Sequence, residues 1–291
     1  MKKAFLQLHV SIFLAGFTGV LGKLITLNEG MLVWWRLLLT AGTMWIVFGV
    51  TKKIQKVSWR QVLELSGVGL LAALHWVTFY GSIKTANVSV ALVCFSSVGF
   101  FTSLTEPLLE KKRIDLNEVL LGLLVMAGIS IIFHFDTRYK TGILLGVLCA
   151  LFLAFVMVLL RRYLKTFNSE TVLTWQLSGG FFWLSLMLPV YLHYFPEQLW
   201  PGWSNLGWLL FLAWFCSVWA FTLTGNALKK LSAYTVNLSF NLEPLYGIIL
   251  AFLLYNEQQE LSISFFIGSG LILLSVLIHT WLVWKRGKGV R

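Results

Sequence analysis

Glu243 is the residue of this chain best placed to do chemistry. It stands inside an otherwise uncharged apolar stretch, about 232–255, where a carboxylate is costly to bury and marks a site for a cation or a proton. Ser239 and Tyr246 lie about one turn to either side, at spacings a helix brings to one face. Pro244 removes a backbone donor and is expected to kink the helix beside the carboxylate. Asn237 and Asn241, four residues apart with Tyr234 a turn earlier, make a polar stripe offset from that face. Two readings of the stripe are open: hydrogen bonding between helices, or the lining of a cavity. Glu243 likewise reads as a site for a substrate amine or proton, or as a neutral, hydrogen-bonded structural carboxyl.

A second cluster is His75, Trp76 and Tyr80, in which His75 shares a helix face with Phe79, and Trp76 with Tyr80. The histidine suits a proton relay or a packed neutral ring donating to a backbone carbonyl. Lys23 and Arg36 each fall one to two turns from an end of an apolar stretch. Snorkelling accounts for both, and Arg36 is also placed to hold a substrate carboxylate. Glu106, near Lys111 and Lys112, suits a local ion pair or a gating contact. The deep aromatics Trp175 and Trp219, with Trp183 and Trp214, can stack on a flat ring or organic cation or simply pack. The five histidines have no metal-binding spacing, and Cys94, Cys149 and Cys216 all fall in apolar runs. No metal or other cofactor is expected.

The elements that position these residues are set by composition. With 58% hydrophobic and 12% charged residues, the chain cannot make a soluble globule, whose charged share is about a quarter. Residues 4–22, 65–83, 85–105, 119–135, 141–160, 171–196, 198–228 and 261–284 contain no Lys, Arg, Asp or Glu. A helix needs about 20 apolar residues to cross a bilayer. Tolerating one charge each, Arg36 and Glu243, adds 31–51 and 232–255. The expected fold is an all-α integral membrane protein of ten transmembrane helices: 5–27, 31–51, 61–82, 86–108, 116–135, 141–160, 170–194, 204–226, 232–255 and 261–284. Runs this long exclude barrel strands, and the loops are too short for a soluble catalytic domain.

The net charge of +11 invites a nucleic-acid partner, but its distribution points elsewhere. Eighteen of the 23 Lys and Arg lie in segments on one side of the expected bundle and three in the other loops. This bias is the positive-inside rule and puts both termini in the cytoplasm. Lipid and a small-molecule substrate are the expected partners, and oligomeric state is open.

The chain divides into two halves, 1–140 and 141–291, that overlay on each other. At an offset of 140 Leu27-Asn28-Glu29-Gly30 meets Phe167-Asn168-Ser169-Glu170; at 145 Lys84 meets Lys229 and Phe101 meets Tyr246. Five spans per half is odd, so the second half is expected upside down relative to the first. Inverted repeats enclosing a site are an architecture of secondary transporters.

Ala227-Leu228-Lys229-Lys230-Leu231-Ser232-Ala233, then Leu242-Glu243-Pro244, then Tyr255-Asn256-Glu257, resembles the second repeat of the EamA family in the drug/metabolite transporter superfamily. Arg36 matches an Arg common in that family. The first half departs from the pattern, with Gly99 where a Pro is usual and Lys112 where a Glu is usual. The resemblance implies a ten-helix exporter of amino acids and related metabolites in the cell inner membrane. Its cavity would lie between the halves, formed by the first, third, fourth, sixth, eighth and ninth helices. Glu243, Asn241, Asn237, His75, Tyr80, Trp219 and Trp175 are the expected substrate contacts; Glu243, Glu106 and Arg36 the expected coupling or gating residues. With no Walker motif, uphill transport needs a proton or another ion gradient, and Glu243 and His75 are the titratable groups placed for a proton. Other readings are an exporter of aromatic or cationic drug-like compounds, an intramembrane enzyme, and a scaffold. The enzyme finds no support in paired intramembrane Asp, G-x-S-x-G or H-E-x-x-H.

Overall fold

In lipid the backbone has no water to bond, so each crossing segment must satisfy its own N–H and C=O groups. Helix is accordingly the only regular structure among the described residues of this computed structural model, which are 2–288 apart from 112, 229, 232–235, 237, 238 and 241. In chain order they are α1 (Lys2–Leu24), α2 (Glu29–Val50), α3 (Trp59–Thr85), α4 (Val88–Phe95), α5 (Val98–Glu110), α6 (Leu116–Phe135), α7 (Lys140–Leu164) and α8 (Ser169–Tyr194). Then come α9 (Trp203–Ala213), a π-helical segment (Trp214–Trp219), α10 (Ala220–Leu228), α11 (Glu243–Tyr255) and α12 (Ile263–Lys288). Among the described residues 8 stretches are long and apolar enough to cross a membrane, and α11 and the Ile263–Ile278 part of α12 are shorter apolar helices. The chain is a multi-pass membrane protein.

Three expected spans are interrupted, each for a local reason. The fourth breaks at Ser96 and Ser97, whose hydroxyls donate to the Leu92 and Cys94 carbonyls at 3.1 and 2.7 Å and so compete with the helical ladder. In the eighth, the Ser217 hydroxyl donates to the Leu212 carbonyl, five residues back, at 3.2 Å inside the π segment. The third interruption falls at Leu242, directly before Glu243, and Pro244 sits in the first turn of α11. Proline is tolerated there because that N–H has no helical partner in any case. The expected kink is thus a helix start.

Local caps fix several entries. Asn28 and Asn168, equivalent at the 140-residue offset, each accept the N–H three residues on at 2.9 Å. Ser58 and Gln61 form a capping box at the start of α3. One end of the bundle gathers Lys23, Lys84 and Glu257; the other gathers Lys53, Gln55, Arg161 and Glu170.

Small residues set the closest crossings. Gly69 of α3 and Gly180 of α8 meet main chain to main chain, as do Gly128 of α6 and Gly268 of α12, where a Cβ on Gly128 would lie 2.6 Å from the Gly268 carbonyl oxygen. Gly16 of α1 is 3.0 Å by the same measure from both the Glu243 carbonyl oxygen and the Gly247 nitrogen of α11. Gly67 and Gly270 face open space and make no crossing. In the fourth span α4 packs against α1, α3, α7, α11 and α12, whereas the packing of α5 is on α6 and α7.

Candidate functional site

Arg36, eight residues into α2, is 3% exposed. Such a cation must be hydrogen-bonded or neutralised. Its Nη1 donates to the Tyr80 hydroxyl at 2.8 Å, and its Nη2 and Nε to the Ser217 hydroxyl at 3.1 and 3.4 Å. The guanidinium carbon lies 3.9 Å from the centre of the Trp76 ring, within cation–π range. None of these partners is a carboxylate. The π segment is what turns Ser217 toward Arg36, in keeping with the frequency of such bulges at functional sites. Sequence reasoning missed Ser217, because no side-chain pattern announces a π turn.

α3 serves two neighbourhoods. Trp76 and Tyr80 hold Arg36, while His75 and Phe79, on the adjacent face, lie 6.0 Å from the Phe95 ring at the broken fourth span. The His75 Nδ1 is 3.0 Å from the Cys149 carbonyl oxygen. A carbonyl only accepts, so Nδ1 carries the proton. Of the two readings of His75, the geometry matches the packed ring donating to backbone.

Glu243 opens α11, held at its level by the Gly16 crossing. Its side chain keeps some accessible surface while protein atoms surround it, and the nearby cation whose field reaches it is Arg36, with no ion pair between them. A hollow of about 100 Å³ lies toward the Lys53 end, lined among others by Met44, Phe48, Lys53, Glu170 and Asn226.

The other expected site residues are dispersed. Tyr80 is in the Arg36 cluster. Trp219 ends the π segment, edge-on to Phe215 at 5.8 Å. Trp175 packs edge-on against Trp45 at 5.1 Å, in the α2–α8 contact rather than at Arg36. Glu106 pairs with Arg161 at 3.0 Å; Lys112 lies outside the described residues. Asn237 and Asn241 lie outside the described residues. Lys23, read as snorkelling, instead bonds the Glu257 carboxylate at 3.0 Å. Cys94, Cys149 and Cys216 are buried free thiols, and no group of three His, Cys, Asp or Glu among the described residues is placed to hold a metal ion.

The model of the EamA-like transporter family matches residues 2–134 and again 140–281. The chain belongs to the EamA-like transporter family. Its two-copy layout accounts for the paired Asn28 and Asn168 caps. A solved crystal structure shares 18% identity with this EamA protein over 96% of this chain and 98% of that one, with a TM-score of 0.64, a likeness of fold alone. No curated protein matches the chain.

Proposed function

We propose that this EamA protein is a secondary transporter that exports small organic metabolites such as amino acids by alternating access. The observation that carries the reading is a buried guanidinium, Arg36, whose field reaches the Glu243 carboxyl with no ion pair between them. An amino acid offers the complementary charges: its carboxylate to the guanidinium, a geometry that favours Arg, and its ammonium to Glu243. Export is inferred from the family, and the chemistry lies in binding and gating rather than in an enzyme active site.

The two halves, 1–140 and 141–291, are read as five-span units of opposite orientation, ten spans in all. Supporting this, left-handed residues end the equivalent helices α5 and α11, Lys111 at φ 53° and Asn256 at φ 54°, one repeat offset apart. With both termini cytoplasmic in the inner membrane, the Lys23 end faces outward. On this reading the α4 end of the fourth span, packed on α1, α3, α7, α11 and α12, is the closed outer side. The aromatic or cationic drug reading finds less support, since Trp175 lies away from Arg36.

The test is uptake by the purified protein in liposomes under an imposed pH gradient, against a panel of labelled amino acids and lipophilic cations. Saturable uptake of amino acids is expected. Uptake of cations alone would reject the cargo assignment, and no gradient-dependent flux of any class would reject the transporter.

A further inference from the structure

The Tyr255-Asn256-Glu257 turn holds an arrangement that substrate binding does not use. Asn256 ends α11 in the left-handed conformation, φ 54° and ψ 31°, a region Asn enters more readily than most residues. The chain reverses there and delivers Glu257 into the bundle, where it is 0% exposed. Its Oε1 accepts from the Val88 N–H at 3.1 Å and from the Lys23 Nζ at 3.0 Å; its Oε2 accepts from the Ser89 N–H at 2.9 Å and the Ser89 hydroxyl at 2.7 Å. Asn87 takes the next donor, the Val90 N–H, at 2.8 Å. The first turn of α4 is therefore capped mostly by a side chain 168 or 169 residues away.

We infer that Glu257 is a gate residue, the latch that seals the bundle at the Lys23 end by tying α11 and α1 to the start of α4. A carboxylate is favoured at the positive end of a helix, and with Lys23 it forms a charge-assisted cluster. Tyr255 reinforces the seal: its hydroxyl donates to the Val20 carbonyl at 2.9 Å, and Lys23 Nζ lies 4.4 Å from the centre of its ring. Opening this end separates α4 from α1 and α11, so every bond Glu257 makes across the seam belongs to the closed state alone. Only interactions that differ between two states shift their balance. At the equivalent place in the sequence, after left-handed Lys111, stands Lys112, which cannot accept from helix N–H groups. The carboxylate device belongs to the second half.

The latch rests on the alternating-access reading, and its test needs no substrate. A single cysteine is placed at Ser96, at the break between α4 and α5, in a background with the native thiols replaced by Ser. A membrane-impermeant maleimide is added to one face of oriented vesicles at a time. In the parent, S96C is expected to label from the Lys53 end only. In E257A and K23M labelling from the Lys23 end should rise about tenfold, the change that ~1.4 kcal/mol makes in an equilibrium. E257Q, which keeps one acceptor, should fall between. Unchanged labelling in E257A and E257Q, with thermal midpoints showing both folded, would overturn the latch. So would labelling of the parent from the Lys23 end. A protein that showed these accessibility shifts yet carried no flux of any class would reject the transporter and leave the latch standing as a seal between two states.

Discussion

The field of the Arg36 guanidinium reaches the Glu243 carboxyl, yet the two form no ion pair. Arg36 spends its contacts on Tyr80, Ser217 and the Trp76 ring. On the proposed reading, the guanidinium and the carboxyl would each take one end of a molecule carrying both signs.

Lysine at position 36 preserves the charge and little else. It lacks the fork that reaches Tyr80 and Ser217 together, and it stacks less well on Trp76. Hydrogen bonds to charged groups contribute about 1.5–3 kcal/mol, so R36K should weaken amino-acid transport roughly 10- to 100-fold in apparent affinity. Concentration-dependent uptake in liposomes reads this directly.

Glutamine at 243 keeps the shape of the side chain and removes its titration. E243Q should abolish the pH dependence of transport while the protein still folds and inserts. A pH profile identical to the parent's would confine Glu243 to a structural role.

His75 donates from Nδ1 to the Cys149 carbonyl. An asparagine amide can supply the same donor near the same place without titrating in the physiological range. H75N should therefore retain the parent's pH profile, whereas H75A should lower the thermal midpoint by removing that hydrogen bond, about 0.5–1.5 kcal/mol, together with the ring packed beside Phe79 and Phe95. A flattened pH profile in H75N would restore the proton-relay reading.

A side chain at Gly16 meets main chain, not a movable tip. G16V should cost about 1–3 kcal/mol through overpacking and abolish transport by displacing Glu243. G67A, facing open space, is the matched control and should leave both unchanged. Thermal unfolding followed by uptake separates the two.

Between α6 and α7, Arg138 bonds Asp136 at 2.9 and 3.0 Å and holds its carboxyl below its ordinary value of 3.8. A depressed carboxylate stabilises fully above that value and loses its contribution as pH falls through the lowered one. The gap in thermal midpoint between the parent and D136N should be present at neutral pH and close in acid below 3.8.

The sequence by itself determined the solvent, the helical class, and nearly every helix boundary, because apolar length and the self-sufficiency of a helix in lipid are local properties. It also singled out Glu243, Arg36, His75 and Tyr80, since polar atoms inside apolar runs are conspicuous by composition alone. Only the tertiary structure decided which of them meet. Arg36 faces Tyr80 and Ser217 through a π turn that no spacing announces, Trp175 goes to a different contact, and Lys23 turns from a snorkelling side chain into one arm of the Glu257 cluster. Such partnerships span 181 or 234 residues of chain. They depend on how closely glycines let backbones approach and on where serine and proline interrupt helices, and one-dimensional periodicity does not encode a crossing point.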